Sequence, residues 1–150
     1  VYHKFREGLR GTKLGKANKV KERIMARILV IDDTAVVRAM IRRWLELEGH
    51  EVVEASDGDV GIQLFREQPA DLVITDLIMP TKQGIEVIQE LREEFPEVKI
   101  IAISAGGQLE QEEQLKQAEQ FGASRTFKKT SNWKEIIQVV EELLSSESDR

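Results

Sequence analysis

The chain has 150 residues, 41% of them apolar, and a net charge of −5, which suits one domain with a real core and leaves little room for a second. It contains no cysteine, which excludes disulfides and thiolate metal sites and fits a reducing cytoplasm. No run of about 18 apolar residues occurs, so no membrane-spanning helix is expected, and the N-terminus lacks the apolar core of a secretory signal.

Charge is unevenly spread along the chain. Residues 1–25 carry eight Lys/Arg against Glu7 and Glu22, a balance of +6, while residues 26–150 carry fourteen against twenty-five Asp/Glu, a balance of −11. The acidic body does not suit general nucleic-acid binding, which rests on neutralising phosphates. The basic segment 1–25 reads as a disordered extension, or as an upstream start-site or vector remnant ahead of Met25. Contact with an anionic surface is the other reading.

From Arg27 onward, short apolar runs alternate with amphipathic stretches. Arg27–Ile31 is continuous and rich in β-branched residues, as a strand buried on both faces should be. Val37, Ile41, Trp44 and Leu45 follow at helical spacing, and Gly49 stops that helix. Glu51–Ala55 reads as a second strand. Val60, Leu64 and Phe65 mark a second helix that ends near Pro69.

Leu72–Thr75 is the third buried strand, and Ile85, Ile88 and Leu91 give a third helix closed before Pro96. Lys99–Ile103 is the fourth strand. Leu115, Ala118 and Phe121 form a sparse stripe on a Gln/Glu-rich fourth helix, which Gly122 ends. Arg125–Phe127 is a short fifth strand. Asn132 with Glu135 has capping-box spacing, and Ile136, Ile137, Val140, Leu143 and Leu144 form the clearest helical face. Residues 146–150 are a polar tail, so the expected domain spans 26–145.

Five strands alternating with five helices imply an α/β fold, a parallel sheet covered on both faces. Ligands of such sheets bind beyond the carboxyl ends of the strands, at a switch in strand order. The first strand ends in Asp32-Asp33, the third in Asp76 and the fourth in Ser104, and Lys128-Lys129 follow the fifth. These side chains converge if the first and third strands are neighbours. Three crowded carboxylates must either take up a proton or be neutralised by a cation. Oxygen-only ligands suit a hard cation such as magnesium, and a lysine opposite would prepare the pocket for a phosphoryl dianion.

Each residue has a plainer reading when taken alone. Asp33 could cap the helix that starts near Thr34, Asp32 could be a solvated acid, and Ser104 an ordinary turn hydroxyl. Gly106-Gly107 reads either as a phosphate cradle or as a flexible loop. Trp44 reads as packing, and Trp133 as packing or an exposed docking residue. His3 and His50 lack partners at metal spacing. The combination of all three acids is what favours a site.

The run Ile28-Leu29-Val30-Ile31-Asp32-Asp33 resembles the first strand and acidic pair of response-regulator receiver domains. Asp71-Leu72-Val73-Ile74-Thr75-Asp76-Leu77-Ile78-Met79-Pro80, with Gly84 after it, resembles their phosphoacceptor segment. Ile103-Ser104-Ala105 resembles the hydroxyl signature, and Gly122-Ala123 with Lys129 seven residues after Gly122 resembles the lysine segment. The likeness covers residues 26–145. It implies a flavodoxin-like (βα)5 fold, a doubly wound five-stranded parallel sheet in the order 2-1-3-4-5.

The resemblance also implies roles. Asp76 would be the nucleophile that forms an aspartyl phosphate. Asp33 would bind magnesium or manganese directly, Asp32 through a water, and Asp76 and the carbonyl of Ile78 would complete the protein's ligands. Ser104 would hydrogen-bond a phosphoryl oxygen, and Lys129 would pair with its charge. The donor would be a phosphohistidine on a histidine kinase or histidine phosphotransfer protein, and the readout a changed protein-binding surface. The chain would act on itself and not as an enzyme on an external substrate. As the sequence stops soon after the fifth helical stripe, no DNA-binding or enzymatic output domain is expected in it.

Three features depart from the family pattern. Thr130 stands where proline usually follows the lysine, so the usual cis bond is not expected. Thr126 stands where an aromatic is usual, and alternation turns the adjacent Phe127 to the opposite face. Ile78 and Gly106 offer no polar side chain to orient an attacking water, which implies a long-lived phosphoryl group. A degenerate receiver that only binds partners is the alternative. A phosphatase of the haloacid-dehalogenase type wants a second Asp two residues after the nucleophile, where Ile78 stands. A nucleotide- or flavin-binding domain wants glycines where Asp32-Asp33-Thr34 stands.

Overall fold

Alternation within the strands decides the architecture. In a computed structural model that describes residues 3–6, 22–105, 108–129 and 132–146, five strands form one parallel sheet. They are β3 (Arg27–Ile31), β4 (Glu51–Ala55), β5 (Leu72–Asp76), β6 (Lys99–Ser104) and β7 (Arg125–Lys128), ordered β4-β3-β5-β6-β7. Counted among themselves, the strands run 2-1-3-4-5, the doubly wound order expected. Successive side chains point to opposite faces, so each apolar run supplies two cores at once. Ile28, Val30, Leu72, Ile74, Ile101 and Ile103 fill one. Leu29, Ile31, Val73, Ile100 and Ala102 fill the other.

The helices divide between those cores. α1 (Ala35–Leu47) and α5 (Trp133–Ser145) cover the first face, through Ile41, Leu45, Ile137 and Val140. The rings of Trp44 and Trp133 stack there with centroids 5.4 Å apart, so both tryptophans serve packing. α2 (Gly58–Glu67), α3 (Gly84–Glu94) and α4 (Gln108–Gln120) cover the second face, through Ile62, Phe65, Ile88, Leu91 and Ala118. Phe121, expected in the α4 stripe, is exposed because the helix has ended and Gly122 turns the chain with φ of +118°. Gly49 does the same after α1, at φ of +93°.

The cap of α5 differs in detail from the expected box. Asn132 Oδ1 accepts from the Lys134 N–H. The reciprocal box forms instead at α3, between Gln83 and Glu86. His50 is buried and structural. Its Nδ1 accepts the Ala26 N–H, and its Nε2 meets Glu141 of α5 at 3.0 Å.

The basic segment 1–25 holds paired chain at two places. β1 (His3–Arg6) and β2 (Glu22–Met25) run antiparallel, His3 opposite Met25 and Arg6 opposite Glu22. At these residues the extension forms an antiparallel ladder. Residues 7–21 lie outside the described residues, as does most of the polar tail. No helix among the described residues is long and apolar enough to cross a membrane.

Candidate functional site

The switch in strand order falls between β3 and β5, which pair directly from Ile28 with Leu72 to Ile31 with Thr75. Both strands therefore deliver their terminal acids to one edge. Asp32 and Asp76 are buried, at 2% and 3% exposure, while Asp33 is exposed. One carboxylate oxygen from each of the three lies within 4.8 Å of the others. β6 lies beside β5, and its end brings in Ser104, whose carbonyl accepts the Lys129 N–H at 2.8 Å.

Lys129 reaches back across the edge. Its Nζ lies 3.0 Å from Asp32 Oδ2 and 3.1 Å from Asp76 Oδ2. Burial opposes its charge, but hydrogen bonds and charge from Asp32 and Asp76 outweigh that and raise its pKa. Asp76 is pushed up to about 6 by burial first and by the Asp32 charge second, against the pull of Lys129 and of the Ile78 N–H. One lysine thus leaves part of the like-charge cost uncompensated. An all-oxygen set of this size fits a hard divalent cation, which would remove the remainder.

Local geometry fixes each acid. Asp32 Oδ1 accepts the Thr34 N–H at 2.8 Å, and its backbone carbonyl accepts Arg38 Nη1 at 2.7 Å. Arg38 also meets Glu54 of β4 at 3.3 Å. Thr34, not Asp33, is the N-cap position of α1, so Asp33 is not spent on capping. At Asp76, the Ile78 N–H approaches Oδ1 at 3.4 Å, and the Ile78 side chain is 44% exposed. A Cβ at position 84 would overlap the carbonyl oxygen of Asp76. Only glycine lets α3 start so close to that carbonyl.

The Ser104 side chain is fully buried, and its hydroxyl donates to Gln114 Oε1 of α4 at 2.9 Å. Gln111 Nε2 of the same helix donates to the Ser104 carbonyl at 2.7 Å. Thr126 donates to Glu119 of α4, while Phe127 packs into the opposite core, as alternation requires. Gly106, Gly107 and Thr130 lie outside the described residues.

Sequence reasoning missed Arg38, Gln111 and Gln114. Arg38 falls on a helix face with other arginines, and the glutamines fall among many Gln and Glu. Only the fold separates these three from a solvated surface.

The sequence model of the family described as response regulator receiver domain matches residues 28–141. The chain belongs to the response regulator receiver family. Its receiver fold is also found in the crystal structure of a response regulator receiver domain protein from Clostridium thermocellum. That structure has a TM-score of 0.76 at 28% identity, over 83% of this chain and 98% of that one. Response regulator TrrA from Thermotoga maritima, solved in complex with Mg(2+)-BeF, has a TM-score of 0.69 at 31% identity, over 79% and 99%.

Among curated relatives, the chemotaxis protein CheY of Halobacterium salinarum is 29% identical over 79% of this chain and 97% of its own length. The probable transcriptional regulator ycf27 of Porphyridium aerugineum is 40% identical, over 53% of this chain and 32% of its own length. The receiver thus spans about a third of the length of such longer regulators. It is the receiver module of two-component signalling.

Proposed function

We propose that this receiver is a phosphorylation switch whose acceptor is Asp76 and whose donor is the phosphohistidine of a histidine kinase or phosphotransfer protein. The observation that carries the reading is the meeting of Asp32, Asp33 and Asp76 within one ligand sphere, with Lys129 across two of them. An Asp76 carboxylate oxygen forms the new P–O bond as the P–N bond to the donor imidazole breaks. The bonding pair stays on the imidazole nitrogen.

Lys129 moves from the carboxylates to the phosphoryl charge, and the Ser104 hydroxyl supplies a neutral donor. Magnesium or manganese, held by Asp32, Asp33, Asp76 and the carbonyl of Ile78, would neutralise the acids and the incoming charge. The magnesium–beryllofluoride complex of TrrA, a relative of the same fold, supports that choice of ion. Reaction on its own Asp76, and not on an external substrate, follows from the acceptor's being a side chain of the receiver. The output is a changed protein-binding surface.

The test is incubation with phosphoramidate or acetyl phosphate, with and without magnesium, read by intact mass. One phosphoryl adduct is expected, dependent on the cation and absent in Asp76→Asn. Steady hydrolysis of the small donor without an adduct would point to a phosphatase instead.

A further inference from the structure

The acid pair at the end of β3 sits on a short loop, and one long side chain holds that loop from behind. Asp33 is exposed, and its carboxylate has no hydrogen-bond or ion-pair partner among the described residues. Its place is therefore set through the backbone on either side of it. On the C-terminal side, Thr34 is the N-cap of α1 but makes no side-chain cap bond. On the N-terminal side, the Asp32 backbone is held twice. Its N–H donates to the Ala55 carbonyl at 3.1 Å, and its carbonyl accepts Arg38 Nη1 at 2.7 Å. That carbonyl belongs to the planar peptide joining Asp32 to Asp33, so fixing it fixes the direction in which Asp33 leaves the strand.

Arg38 is itself tied to the parts it joins. Its N–H donates to the Thr34 carbonyl at 3.1 Å in the first turn of α1. Its side chain is 17% exposed, and Nε meets Glu54 of β4 at 3.3 Å. Glu54 precedes Ala55, so the end of β4 holds the Asp32 backbone directly through Ala55 and indirectly through Arg38. A guanidinium carries its donors in a rigid planar fork, which lets one side chain hold a carboxylate and a carbonyl at once.

We propose that Arg38 is a positioning residue for the cation site, its bond to the Asp32 carbonyl holding Asp33 where it can share a divalent cation with Asp32 and Asp76. This rests on the cation-assisted phosphoacceptor reading above. The clamp predicts a sign that charge alone does not. A positive side chain near three carboxylates repels a cation, so removing it should tighten binding if only charge counted. Removing the clamp instead frees the loop, and ordering that loop again on binding opposes the cation. The outer groups that orient ligands of a metal commonly carry more than tenfold in affinity.

Calorimetric titration of magnesium into the full chain tests this, with the magnesium dependence of phosphorylation by phosphoramidate read by intact mass in parallel. Arg38→Met should weaken magnesium binding roughly tenfold. The magnesium needed for half-maximal phosphorylation should rise by the same factor, while the rate at saturating magnesium stays within about twofold. Arg38→Lys keeps the charge and decides the matter if Arg38→Met does not fold. It should bind magnesium more weakly than the parent and more tightly than Arg38→Met, whereas charge alone predicts no change. Arg42→Met is the control. Arg42 bonds Glu54 at 2.8 Å and Glu46 at 2.7 Å and not the Asp32 loop, so affinity should stay within about twofold. Unchanged or tighter binding in the Arg38 variants, or equal weakening in Arg42→Met, overturns the clamp alone. A saturating rate that falls as far as the affinity does overturns it too, since that marks general damage to the site. A parent that gives no adduct overturns the phosphoacceptor reading, and one that binds no magnesium takes the clamp with it.

Discussion

Lys129 Nζ lies 3.1 Å from Asp76 Oδ2, joining residues 53 apart in sequence across the carboxyl edge of the sheet. The same ammonium is 3.0 Å from Asp32, so it balances two buried acids before any phosphoryl arrives. Lys129→Met removes the one positive side chain that contacts Asp76 among the described residues. Phosphorylation by phosphoramidate should slow roughly 100-fold or more, the usual cost of losing a preorganised charge donor. Lys129→Arg should recover part of the rate. Initial rates of adduct formation by intact mass check both.

The raised Asp76 carboxyl makes stability depend on pH. Its folded-state pKa of about 6 exceeds the ordinary 3.8, so the unfolded chain gives up this proton more readily than the fold does. Ionisation therefore weakens the native state, fully above pH 6 and not at all below the ordinary value. The gap corresponds to an upper limit on the order of 3 kcal/mol. Asp76→Asn should stabilise the cation-free protein by about 1–3 kcal/mol at pH 8, less than the limit where Lys129 loses a partner. The gain should vanish near pH 4. Urea unfolding in chelator at the two pH values measures it. Magnesium should then stabilise the parent more than the variant.

On the phosphoacceptor reading, position 78 is expected to set the lifetime of the product. The Ile78 side chain is exposed beside the acceptor and cannot hydrogen-bond a water there. Ile78→Asn places an amide at that point and should speed loss of the phosphoryl group severalfold. Decay of the adduct after removal of the donor measures this, and unchanged or slower loss contradicts it.

Thr81 carries stored strain between the acceptor and α3. Its φ is +71°, within a tight turn closed by the Lys82 N–H on the Pro80 carbonyl at 2.8 Å. A β-branched residue rarely adopts that conformation. Thr81→Gly removes the Cβ that strains this turn and should raise stability by about 0.5–1 kcal/mol. Chemical denaturation checks this.

The parts legible in the sequence are those written locally. Ile28–Ile31 and Leu72–Thr75 are apolar on both faces, so they had to be central strands, and the acids that end them had to share an edge once the strands paired. The place after the last strand offered both Lys128 and Lys129, and only the spacing from Gly122 in the family resemblance singled out Lys129. Arg38 was not legible, because its contact at the site is a backbone carbonyl, which no side-chain pattern announces. Gln111 and Gln114 were hidden for a related reason: α4 has a weak apolar stripe, so nothing in the sequence marks which of its polar residues face inward. The positive φ at Thr81 was not legible either, since threonine rarely adopts it.

The central claim concerns one carboxylate, and chemistry can read it directly. An aspartyl phosphate is an acyl phosphate, and borohydride reduces it to homoserine, marking the residue that held phosphorus. Trypsin releases Glu67–Lys82 as one peptide, which contains both Asp71 and Asp76. After treatment with phosphoramidate and magnesium, homoserine should appear at position 76, and not at 71 or in any sample without the cation. Homoserine at another acid, or none at all under conditions that preserve the fold, would contradict the account.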